Sequence, residues 1–99
     1  MALKSLAEFE ASLSASAPSA GLRPPLLALW HEAKGEWDRA HAIAQEDPSA
    51  EGAWVHAYLH RVEGDLPNAG YWYRRAGRPA SQAPLSEEWR AIVLFLLGR

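Results

Sequence analysis

A ten-residue block of this chain occurs twice. HEAKGEWDRA runs from His31 to Ala40, and HRVEGDLPNA runs from His60 to Ala69, 29 residues further on. Both copies place a His, a Gly four positions later, then an acid, a large apolar residue and an Ala in step. Self-similarity at a period of about 20–50 residues marks stacked units that share one core. The architecture is therefore expected to be a short array, each copy one supersecondary unit.

The residue supply makes those units helical. β-branched residues are scarce, with three Val, two Ile and no Thr, whereas Ala and Leu dominate. No segment alternates apolar and polar residues for long, so strand signals are missing. A chain of 99 residues supports a single domain with a thin core, and five Trp supply buried area that a small domain needs.

The pattern predicts six helices in one domain, 1–99, with an N-terminal helix in 1–14, a linker in 15–24, two hairpins in 25–79 and a C-terminal helix in 84–98. Leu3, Leu6, Phe9 and Leu13 form the stripe of the first helix, which starts near Ala2 and is expected to dock loosely or sit on a partner. Pro24 and Pro25 open the second helix and Gly35 ends it. The third covers about Glu36 to Glu46, with Trp37, Ala40, His41 and Ala44 on one side. The fourth covers Ala50 to Glu63 and stops at Gly64. Asp65 caps the fifth, which keeps Pro67 in its first turn and ends at Gly77. Ser86 is expected to cap the last helix, with Glu87 and Glu88 at its positive end.

The two central hairpins resemble the tetratricopeptide repeat. The second copy offers Ala57, then Gly64, Asp65 and Leu66 at the turn, then Ala69, Tyr73 and Ala76. The first offers Ala28, then Gly35, Glu36 and Trp37, then Ala40, with Pro48 closing it. Ala44 and Asp47 replace the aromatic and the last Ala of the family pattern, and the offset is shorter than the family period of about 34. The resemblance covers Leu26 to Pro79 and implies an all-α, right-handed array of two such hairpins with flanking terminal helices. It also implies a protein- or peptide-binding module, with Trp54, Tyr58, Arg61 and Val62 on a concave face and His56 and His60 at packed positions. The apolar stripe of the fourth helix instead holds Trp54, Val55, Tyr58, Leu59 and Val62, with the histidines opposite. The two readings agree only if this helix is buried on two faces.

Three groups of residues are candidates for chemistry. His56 and His60 share a helix face one turn apart, a two-ligand spacing for zinc, copper or nickel, with Glu63 one turn beyond. His31, the repeat equivalent of His60, is the expected third histidine of a metal or acid–base site. The alternative is a purely structural pair bridging two helices by hydrogen bonds. In YWYRRAGR, residues 71–78, Arg74 and Arg75 follow three aromatics and could join Arg61 in gripping an anionic peptide tail. The alternative is a core Trp72 and Tyr73 beside solvated arginines at the negative end of a helix. Finally, the last helix has Trp89, Ile92, Val93 and Leu96 on one stripe, while Leu94, Phe95 and Leu97 fall outside it. Such a helix is buried on more than one side, which suggests a homodimer through Trp89, Leu94, Phe95 and Leu97, or cover by the first helix.

Several classes recede. No Cys is present, which excludes disulfides and thiolate metal sites. A net charge of −2 gives no field favouring nucleic acid or an anionic membrane. No apolar run reaches the roughly 18 residues of a membrane span, and Glu8 and Glu10 interrupt the N-terminal apolar stretch that a signal peptide requires. A cytoplasmic location is the expectation. No phosphate-binding Gly loop or nucleophile elbow occurs, so the chain reads as a recognition module with no cofactor rather than an enzyme, a divalent metal at His56 and His60 being the alternative.

Overall fold

The repeated block folds as one turn built twice. Gly35 and Gly64 adopt φ of 83° and 87°, the left-handed region that suits glycine at a helix end. Around them, Glu36 N–H donates to His31 C=O and Asp65 N–H to His60 C=O, both at 2.9 Å. These bonds satisfy carbonyls that a helix end would otherwise leave unpaired.

The computed structural model describes residues 5–98. Its elements are α1 (Leu6–Ser12), α2 (Pro24–Ala33), α3 (Trp37–Gln45), α4 (Ala50–Glu63), α5 (Leu66–Ala76) and α6 (Leu85–Leu97), with no strand among the described residues. The all-helical class and all six helices agree with the sequence reading. The expected start of the first helix at Ala2, with Leu3, lies outside the described residues. The caps explain most boundaries. Ser5 and Glu8 bond reciprocally at the start of α1, Ser49 accepts from Gly52 N–H, and Asp65 accepts from Asn68 N–H. The last helix departs from expectation. Pro84 precedes its first residue, and the Pro84 carbonyl accepts from the N–H groups of Glu87 and Glu88. Ser86 therefore falls inside the first turn and caps nothing.

α2 packs on α3, and α4 packs on α5. α4 is central, because it touches α2, α3, α5 and α6. Every residue from Gly52 to His60 is buried. This two-sided burial removes the conflict between the two readings of the fourth helix. The face with His56 and His60 meets α3 and α5, while Trp54 and Arg61 on the other face bond to α6.

The terminal helices close the core. α6 buries Trp89, Ile92, Val93 and Leu96, the stripe expected of it. Trp89 Nε1 donates to Leu29 C=O at 3.2 Å. α1 is docked rather than loose: Phe9 is fully buried and its ring lies 5.7 Å from that of Trp89. Ser12 Oγ accepts from Trp30 Nε1 at 3.2 Å, and Lys34 Nζ donates to Leu13 C=O at 2.6 Å. Polar anchors of this kind escape a search for apolar stripes.

Candidate functional site

Three histidines converge where α3 and α5 cross the buried face of α4. His41 lies on the inward stripe of α3, one turn from Trp37, and His56 and His60 stand one turn apart on α4. Each offers one ring nitrogen, and the three lie within 4.8 Å of one another. The Nε2 atoms of His41 and His56 are 3.0 Å apart. Trp37 stacks on His41 at 4.8 Å between ring centroids, and Trp72 of α5 stacks on His56 at 3.8 Å. The indole of Trp37 is itself fixed, because its Nε1 donates to Leu59 C=O at 2.8 Å. The cluster thus has aromatic walls on two sides.

Glu63 sets the protonation pattern of His60. Its carboxylate oxygen lies 2.6 Å from His60 Nδ1, and since a carboxylate only accepts, Nδ1 carries the proton. The lone pair of the neutral ring is then on Nε2. An outer carboxylate oriented in this manner is the common support of a metal-binding imidazole. His56 and His60 are buried and His41 is half-buried. Burial, with the neighbouring His41 and His60, pushes the His56 imidazole down to about 4. Burial and His60 lower His41 as well, opposed by Glu63 and Asp38. His56 Nδ1 is buried without a hydrogen-bond partner among the described residues. Metals bind the uncharged imidazole, so the lowering of His41 and His56 favours the ligating form.

The structure rearranges the expected ligand set. His31 is buried on α2, where its Nδ1 meets Glu36 Oε1 at 2.7 Å, and it takes no part in the cluster. Its bond holds the Glu36 carboxyl below the usual range. His41 takes the place expected of His31. The signal was its position beside Trp37 on the inward side of the third helix, a side that must meet the next helix in sequence. Glu63 is the outer partner of His60 rather than a member of the three-histidine group. With His60 and Asp65 it also forms a second, more exposed group of potential ligand atoms.

The expected peptide anchor lies inside the fold. Trp54 and Tyr58 are buried, and Arg61 is engaged. Glu88, 3 % exposed on α6, accepts from Trp54 Nε1 at 3.2 Å, Tyr73 Oη at 2.6 Å and Arg61 NH1 at 2.6 Å. Arg61 NH2 reaches Ala83 C=O at 2.7 Å. Burial and the Glu88 carboxylate raise the Tyr73 hydroxyl. α6 therefore fills the face where a peptide was expected. Arg74 and Arg75 are exposed, with Arg75 NH1 on Tyr71 Oη at 3.0 Å. Of the expected self-association residues, Trp89 is core and Leu97 half-buried, while Leu94 and Phe95 are exposed.

Comparison with known proteins finds no matching family model, no matching curated protein and no matching solved structure. The functional reading therefore rests on the geometry of the histidine cluster.

Proposed function

We propose that the protein binds one divalent transition-metal ion through His41, His56 and His60, with Glu63 positioning His60. The observation that supports this reading is the convergence of three imidazoles, drawn from two helices, to within 4.8 Å. Two nitrogens on one tetrahedral zinc at about 2.0–2.1 Å stand roughly 3.3 Å apart, close to the 3.0 Å between His41 and His56. Imidazole suits zinc, copper and nickel, and the stacked indoles of Trp37 and Trp72 keep the surroundings apolar.

Calorimetric titration of the chelator-treated chain with zinc, nickel and copper tests this. Binding of one ion is expected, with a matching rise in melting temperature, because a ligand specific to the folded state stabilises it. His41→Gln and His56→Gln should abolish binding, whereas His31→Gln should retain it. A chain that takes up no ion, or takes it up equally without His41 and His56, rules the reading out.

A second reading, the structural homodimer through the C-terminal helix, is favoured by Leu94, 56 % exposed, and Phe95, 38 % exposed, on α6. A homodimer through this helix would cover both. Sedimentation equilibrium over a range of concentrations decides: Leu94→Glu should dissociate a dimer, and a monomer throughout removes the homodimer.

A further inference from the structure

We infer that an ion held by His41, His56 and His60 keeps one coordination position open, where water exchanges with a small inorganic anion. This rests on the metal-binding reading above and adds the class of ligand the bound ion would take.

Ligand arithmetic is the first support. The group comprises three histidines, and among the described residues no further His, Asp or Glu joins them within 4.8 Å. The chain has no Cys. Closed, structural zinc sites use four protein ligands, whereas three protein ligands leave a position for water or substrate. Glu63 lies outside the three-histidine group, with one carboxylate oxygen 2.6 Å from His60 Nδ1.

Access comes next. His56 and His60 are buried but His41 is half-buried, so the more exposed side of the cluster is the α3 side. Trp37 stacked on His41 and Trp72 stacked on His56 flank the cluster with flat indoles, so a further ligand meets apolar walls on both sides.

Charge then selects the sign. Three neutral imidazoles do nothing to offset a divalent ion, and Glu63 offsets part of it from outside. Arg75 adds positive charge on one flank, 5.4 Å from the Trp72 ring that covers His56. The fields of Glu63 and Asp38 both reach His41, and both carboxylates lie outside the three-histidine group.

Cobalt(II) makes the position visible, since its visible absorption reports coordination number and ligand type. The full chain loaded with cobalt is titrated with azide and thiocyanate, with retained cobalt measured by equilibrium dialysis. The expected result is a saturable shift of the band at constant cobalt content. Asp38→Asn should give the same shift, and His31→Gln, outside the cluster, should keep it. A band unmoved by either anion, with cobalt still bound, overturns the open position while leaving metal binding intact. A shift that appears only in Asp38→Asn also overturns it, because Asp38 would then be the fourth ligand. Failure to take up cobalt, nickel or zinc overturns both readings together.

Discussion

Arg61 and Glu88 form an ion pair at 2.6 Å, with Glu88 buried at the junction of α4, α5 and α6. Removing one partner leaves the other as an uncompensated charge away from water, which costs about 3–5 kcal/mol. Glu88→Ala should lose that much, since it also strips the acceptor from Trp54 and Tyr73. The exposed pair Arg90–Glu10, at 3.1 Å, is the internal control, and Glu10→Ala should change stability by no more than about 1 kcal/mol. Urea unfolding of both variants measures the difference, and equal effects would mean that the buried pair is as well solvated as the surface one.

Acid should weaken the metal-free fold through His56. Its ring titrates near 4 in the folded chain, against 6.5 for the free side chain. Between those values the unfolded chain takes up a proton that the folded chain refuses, so protonation favours unfolding. The stability from the neutral ring is full above pH 6.5, falls as pH drops toward 4 and levels off below. At about 1.4 kcal/mol per pH unit the loss by pH 4.5 is roughly 2–3 kcal/mol. His41 and His60 face His56 and repel its proton, Glu63 lies beyond His60, and Asp38 lies near His41. Urea midpoints with a chelator at pH 7.5 and 4.5 should show the fall, and His56→Gln should flatten it. An unchanged slope in the variant would assign the fall to other groups.

Gly52→Ala should destabilise α4, although Ala is normally the better helix residue by about 0.5–1 kcal/mol. A Cβ at Gly52 would lie 2.6 Å from Asp47 Cγ and 2.8 Å from the Asp47 carbonyl oxygen. Moving that backbone also disturbs the Ser49 cap, whose Oγ accepts from Gly52 N–H at 3.0 Å. The expected loss is roughly 1–3 kcal/mol, the usual cost of overpacking. A thermal melt checks it, and a rise in melting temperature would show that the 47–49 turn yields freely.

The fold was legible wherever the signal was local. Gly35 and Gly64 announced their turns because only that residue takes the left-handed geometry cheaply, and the Ile92, Val93 and Leu96 stripe announced the inner face of α6. The site was half legible. His56 and His60 are one turn apart in sequence, so their shared face followed from helix geometry alone. His41 came from another helix, and repeat symmetry pointed instead to His31, which the fold pairs with its own turn acid, Glu36. Glu88 read as an ordinary helix N-terminal acid. Its burial depends on Arg61, Trp54 and Tyr73 arriving from two other helices, and no spacing rule within α6 encodes that.

Phe9 should prove essential to the whole core rather than to α1 alone. A seven-residue helix has no stability of its own, so α1 persists only through docking. Its fully buried ring packs against Trp89, and Trp89 in turn donates to Leu29 C=O on α2, which ties α1, α6 and α2 into one cluster. Phe9→Ala should therefore cost roughly 3–5 kcal/mol in a transition that stays cooperative, with the summed tryptophan emission shifting toward that of wetter indoles as Trp89 loses its cover. Native-state amide exchange separates the alternatives. If α1 belongs to the cooperative unit, exchange quickens in α4 and α6 as well as in α1. Exchange quickening in α1 alone, with α4 unchanged, would make α1 an independently melting flap and contradict the prediction.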